Sequence, residues 1–234
     1  MKRRTDINDI SFGVIRARMR LHFSLIPKGD RQAVKIFVIG HPRCGTTTLH
    51  KLFIANGLDS FHNSADWPVA RYDAFSDFGQ LRPIAAYDRT YPNAKFILNF
   101  RPLRPYLISI STHHQRIFNA QNFVNEIHRR ADYFAWALRY FNGRDDFIAV
   151  NIEAPKALPT VAEFCGFDVA EPPGGAVHNA SSRIKSEANL QNIETALAAL
   201  GLGDEAGRGC LVSKLHGADC DTLIKARDSI RFVE

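Results

Sequence analysis

The sequence predicts an α/β fold, a three-layer sandwich with a central, mostly parallel sheet flanked by helices. Three observations carry this. Short apolar runs, KIFVIG (35–40), KFILNF (95–100) and DFIAVNI (146–152), read as strands. Stretches with helical apolar spacing lie between them, and strands alternating with helices imply parallel pairing with helices on both faces. The first run feeds a glycine-containing loop and then a helix start. The 234 residues, 45% hydrophobic and 23% charged, suit one sizeable globular domain with appendages.

Residues 1–32 read as a basic N-terminal arm. From Ile15 to Leu25, apolar residues alternate with Arg16, Arg18, Arg20, His22 and Ser24. That is the period of a half-exposed strand with a basic face; a basic interfacial helix is the rival. Residues 1–35, the arm and the start of the first strand, hold nine Lys and Arg against three Asp and Glu, so the whole net charge of +6 lies within them. The arm is expected to pack on the domain, with a weak contact to an anionic surface through residues 1–35 as the alternative, and no specific nucleic-acid partner is expected.

The domain is expected over 33–200. Strand 35–40 runs into a helix over 46–57 that stops near Asn56–Gly57. Ser60–Asn63 is a candidate second strand, and Tyr72–Asp77 reads as extended. A helix over 79–91 is interrupted at Pro83. Strand 95–100 is bounded by Pro92–Asn93 and Arg101–Pro102. The next helix starts near Leu103, with Pro105 tolerated in its first turn. A long helix covers 120–141, with apolar spacing at Phe123, Ile127, Phe134, Leu138 and Phe141. Strand 146–152 is followed by a helix over Ala157–Cys165 ending at Gly166, a Pro/Gly loop over Glu171–Gly175, and a helix over 182–200. Residues 201–234 are a C-terminal extension, packed on or linked to the domain, opening with a flexible link over Gly201–Gly209.

Cys44, Cys165, Cys210 and Cys220 have no metal-ligand spacing and fit a reducing compartment better than a disulfide framework. No apolar run is long enough to span a bilayer, and the basic N-terminus lacks a continuous apolar segment of the signal-peptide kind. The expected location is cytoplasmic, with the membrane periphery as a variant; oligomerisation is left open.

The functional signal is Gly40-His-Pro-Arg-Cys-Gly-Thr-Thr-Thr48. A strand feeding a glycine loop and a helix N-terminus cradles phosphate, because the first helical N–H groups have no intrahelical acceptor and the macrodipole is positive there. The sandwich is thus P-loop-like. The Gly40–Gly45 spacing matches a Walker A loop, but Thr46 stands where its lysine belongs, and the cation is Arg43 instead. A cysteine-phosphatase loop is excluded, because His50 rather than arginine stands at the required distance from Cys44. A second segment pairs with the loop: strand 95–100 ends at Arg101, and Ser109 follows on the next helix. Ligands of open α/β sheets bind at strand carboxyl ends.

With these two motifs in order, the sequence resembles the PAPS-dependent sulfotransferases (PAPS being 3′-phosphoadenosine 5′-phosphosulfate). The loop 40–48 is similar to the family's 5′-phosphosulfate loop, and Arg101 with Ser109 to its 3′-phosphate motif. Further likeness to bacterial members lies in YDAFSD (72–77), YPNAKFIL (91–98), Phe147–Phe167 and, more weakly, VHNAS (177–181). The resemblance covers about residues 34–185. Two departures stand out: Pro102 follows Arg101 directly, and Cys44 replaces the commoner serine.

The resemblance implies transfer of a sulfuryl group from PAPS to a hydroxyl or amine of a small molecule, lipid or glycan, with PAP as product and no metal required. Such a transfer, like phosphoryl transfer, needs donors aimed at the oxygens of the moving group. The implied donor set is Arg43, Cys44, Gly45, Thr46, Thr47 and Thr48 around the phosphosulfate, and Arg101 and Ser109 on the 3′-phosphate. Arg43 bridges the leaving phosphate and the sulfuryl oxygens. A base for the acceptor is expected from Asp77 or His62. Asp77 is preferred because relatives carry an acid in a similar segment; an imidazole is naturally tuned to neutral pH.

Plainer readings stand beside these: a helix N-cap at Gly45 and the threonines, a solvated charge at Arg101, a surface serine at Ser109, an N-cap at Asp77 and a loop histidine at His62. His50, His113 and His114 read as surface or supporting residues, and Cys44 as a small filler rather than a thiol of lowered pKa. Two other functions remain in play. One is an atypical P-loop kinase or NTPase, weakened by the missing loop lysine. The other is a catalytically inactive protein that binds PAP or a related nucleotide.

Overall fold

In a computed structural model of the protein, β1 (Ile36–Val38), β2 (Ser60–His62), β3 (Ala74–Ser76), β4 (Lys95–Phe100), β5 (Phe147–Asn151) and β6 (Arg231–Val233) form one sheet. Its order is β2-β3-β1-β4-β5-β6, and every pairing is parallel. The structure describes residues 33–62, 71–77, 84–114, 116–172 and 186–202, and the backbone of 231–233. The expected N-terminal arm, the interruption at Pro83, VHNAS (177–181) and most of the C-terminal extension lie outside the described residues.

The helices are α1 (Thr46–Ala55), α2 (Ile84–Thr90), α3 (Leu103–His114), α4 (Ala120–Tyr140), α5 (Ala157–Cys165) and α6 (Glu187–Ala199). Local chemistry sets several ends. A reciprocal capping box starts α4: the Asn119 side chain accepts from Asn122 N–H, and the Asn122 side chain accepts from Asn119 N–H. Ser186 caps α6, and Gly166 ends α5 in the left-handed conformation at φ 77°.

Strand residues alternate between two cores, which makes the three layers. Phe37, Ile39, Phe75, Phe96, Leu98, Phe100 and Phe147 pack on α2 and α4; Ile36, Val38, Ala74, Ile97, Ile148 and Val150 pack on α1 and α5. Phe37 stacks between Phe75 (5.1 Å) and Phe96 (5.5 Å), and Phe141 lies flat on Phe147 at 4.6 Å. Each such buried ring contributes about 1.5–3 kcal/mol. A third core joins α3, α4 and α6 and takes in Cys44. The sequence expectation of an α/β sandwich with a parallel sheet holds. The edge strand β6, which pairs with β5 from within the C-terminal extension, is a feature it lacks. Among the described residues, no helix is long and apolar enough to cross a membrane.

Candidate functional site

Because the sheet is parallel, the carboxyl ends of β1 to β5 meet on one side. β1 lies between β3 and β4, so the chain leaves it first toward β3 and β2 and later toward β4 and β5. Such a reversal opens a crevice beside the first strand. The loop 40–45 lies at this point, and the ends of β2, β3, β4 and β5 deliver His62, Asp77, Arg101 and Glu153.

The loop is braced from below by Asn99, fully buried in β4. Its side-chain oxygen accepts from Gly40 N–H at 3.0 Å, and its amide donates to the Cys44 carbonyl at 2.6 Å. Gly40 is required here: a Cβ would sit 1.9 Å from the Asn99 carbonyl oxygen. Gly45 adopts φ 80°, and a Cβ on it would meet Ile152 at 2.4 Å. Arg43 holds φ 67° without being glycine, a conformation that costs about 1–2 kcal/mol and is typical of functional loops. The α1 ladder begins only with Leu49 N–H to Gly45 C=O, and no side chain caps the helix. The amides ahead of that bond precede the helix's own hydrogen-bond ladder.

Arg43 Nε reaches Ser109 Oγ on α3 at 3.4 Å, so the two sequence motifs meet across the crevice. Burial pushes the Cys44 thiol up to about 11. It is a neutral core group, and only its backbone is placed to serve an anion. Thr46 and Thr48 are buried, and Thr47 is half-exposed. The Arg101 side chain turns toward β5, with Nε 3.3 Å from Glu153 Oε1 but without hydrogen-bond alignment.

The opposite wall brings both candidate bases together. His62 Nε2 lies 3.2 Å from Thr47 Oγ1, and its Nδ1 lies 2.9 Å from Ser76 Oγ. Ser76 also donates to the Phe61 carbonyl at 3.4 Å. With its proton given there, Ser76 accepts from Nδ1–H, and the imidazole lone pair falls on Nε2. Burial lowers the His62 pKa, and the nearby Asp77 carboxylate partly opposes this. His62 is therefore neutral at pH 7. Asp77 holds φ 66°, and its Oδ1 is buried with no hydrogen-bond partner among the described residues. The His50 ring stacks on His62 at 5.2 Å and bonds Ser60 through Nδ1 at 2.8 Å.

Two supporting residues escaped the sequence reading. One is Asn99, whose signal was a lone amide inside an apolar strand. The other is Arg130, 2% exposed, which donates to the Arg101 carbonyl at 2.6 Å and lies over the Tyr106 and Phe134 rings. It stands one helical turn from both Ile127 and Phe134, so a charge lying within the apolar stripe of α4 was the clue. Beneath the loop, His41 Nδ1 lies 3.2 Å from Tyr106 Oη, which donates to Glu126 at 2.5 Å. Burial, then Arg130 and Arg129, hold His41 neutral.

The arrangement can hold an oxyanion at the loop with Arg43 as countercharge, and can take a proton at His62 Nε2. No family model matches this chain, and no curated protein matches it.

Proposed function

We propose that the crevice binds PAPS and transfers its sulfuryl group to a hydroxyl or amine of a small molecule, lipid or glycan. The observation that carries this reading is the 3.4 Å approach of Arg43 to Ser109. It brings the loop after β1 and the helix after β4 to one crevice, as a ligand with separate 5′- and 3′-phosphates requires. The loop amides and Arg43 would take the 5′-phosphosulfate. Ser109 and Arg101 would take the 3′-phosphate, which would replace Glu153 beside the guanidinium.

In the transfer, a bond forms from the acceptor oxygen or nitrogen to sulfur as the bond from sulfur to the 5′-phosphate oxygen breaks, and PAP leaves. Arg43 and the loop dipoles balance the charge that grows on the leaving phosphate. His62 Nε2 takes the acceptor proton, and the Asp77 carboxylate stabilises the resulting imidazolium. This division of labour follows from the tautomer that Ser76 and the Phe61 carbonyl set. A reducing, cytoplasmic setting is consistent with Cys44 and Cys165 as free thiols.

The deciding experiment is thermal denaturation with PAP and, separately, with ATP and Mg²⁺. PAP is expected to raise the unfolding midpoint and Mg-ATP to leave it unchanged. Stabilisation by Mg-ATP alone overturns the reading in favour of a kinase or NTPase. PAP binding without sulfation across an acceptor panel reduces it to a nucleotide-binding protein.

A further inference from the structure

Thr47 occupies a position that neither half of the site accounts for. It belongs to the first turn of α1, where an anion in the loop would lie, yet its hydroxyl is 3.2 Å from His62 Nε2 on the other wall. A hydroxyl has one proton to give and two lone pairs. Nε2, as the lone-pair nitrogen, can accept only from that one proton. The same proton is what a loop-bound oxyanion needs from Thr47. The two demands exclude each other.

We propose that Thr47 is a hydroxyl switch that keeps His62 Nε2 covered while the loop is empty and releases it when an oxyanion binds. It is a positioning residue, acting through His62. The inference rests on the reading of the loop as an oxyanion cradle and of His62 as the base. With the loop empty, Thr47 O–H donates to Nε2. With an oxyanion bound, the proton turns to the anion, and the Nε2 lone pair faces the crevice for the acceptor. No covalent bond changes; one hydrogen bond is redirected. Donor is thereby made to bind before acceptor, which protects the base from unproductive partners.

The switch has a titration signature. A hydrogen bond donated to Nε2 favours neutral imidazole, so its removal makes His62 easier to protonate. Among the described residues, the groups facing His62 are Thr47 and the His50 ring from α1, Ser76 from β3 and Asp77 beyond β3, with Lys51 acting on His50. A His50→Asn control separates the titration of His50 from that of His62.

The test follows the His62 imidazole by NMR in the full chain, with inorganic sulfate as probe and chloride at matched ionic strength. Sulfate keeps its charge over the titration range, so pH acts on the protein alone. Sulfate should raise the His62 midpoint by about one pH unit in the wild type and by clearly less in Thr47→Val. Without sulfate, Thr47→Val should already titrate higher than the wild type. Thr47→Ser, which restores a hydroxyl, should restore the wild-type shift. By linkage, sulfate should bind the wild type up to about tenfold more tightly at pH 5 than at pH 8, and this dependence should shrink in Thr47→Val. Equal shifts in the wild type and Thr47→Val, no shift in either, or no recovery in Thr47→Ser overturn the switch. Because sulfate is the probe, a failure of PAP to bind would end the sulfotransferase reading and still leave this coupling measurable.

Discussion

At the amino-terminal end of the sheet, Arg144 is half-buried and well paired. It makes two bonds to Asp88 at 2.7 Å, bonds both oxygens of Asp146, and lies over the Phe141 ring, while Tyr140 donates to Asp88 at 2.7 Å. At the carboxyl-terminal end, Arg43 sits in a left-handed backbone with a 3.4 Å reach to Ser109, long for a hydrogen bond. Arg101 approaches Glu153 off-line, and Asp77 combines a left-handed backbone with a buried oxygen lacking a partner among the described residues. One end has its charges matched by good geometry, which locks α2, α4 and β5 together. The other holds strain and imperfect pairing, which a ligand could complete. Variants at the two ends should therefore separate stability from function.

The largest separation is expected at His62. His62→Asn should lower the transfer rate by about 10²–10⁴-fold while PAP affinity at neutral pH stays near wild type, read by single-turnover kinetics and calorimetry. Arg43→Gly should weaken PAP binding by about 10²–10³-fold. Because glycine tolerates φ 67°, stability should stay within about 1 kcal/mol of wild type. A large loss of stability would mean that Arg43 is structural, and the contrast between the ends would collapse.

Asn99→Ala tests the brace that joins the core to the crevice. It leaves the Gly40 N–H and Cys44 carbonyl without this buried partner, so denaturant unfolding should show a loss of about 2–4 kcal/mol. PAP affinity should fall with it.

Asp88→Asn should cost about 1–3 kcal/mol and leave PAP affinity unchanged. It also carries a pH signature. Burial pushes the Asp88 carboxyl up, but the hydrogen bonds from Arg144 and Tyr140 outweigh this and hold it below its ordinary value. A depressed folded-state pKa adds stability above the unfolded value of about 3.9, and that stability is lost as pH falls through the folded value. Wild-type unfolding free energy should thus fall more steeply below about pH 4 than that of Asp88→Asn. The smallest effect is expected for Ser109→Ala, about 0.5–1.5 kcal/mol in PAP affinity with no change in unfolding midpoint.

Much of this was legible in the chain. Glycine and proline punctuation and apolar periodicity are local signals, and they located β1, β4, β5 and α3 to α5 close to their observed bounds. Gly40, Arg43 and Gly45 were readable because a tight loop between strand and helix imposes its residue types directly on the sequence. Asn99 and Arg130 were legible only as polar residues out of place in apolar patterns, since what they bind lies far away along the chain.

The pairing order was not legible. Parallel strands are joined by long crossovers, and nothing local says that β1 lies between β3 and β4, or that residues 231–233 close the edge beside β5. Nor does spacing show that Thr47, His62, Ser76 and Asp77 form one wall. Residue types and local periodicity settled the α/β class and located the glycine loop between β1 and α1, because each depends on a few adjacent residues. Which groups face one another across the crevice was decided by sheet topology alone, because a parallel sheet gathers every strand's carboxyl end on one side.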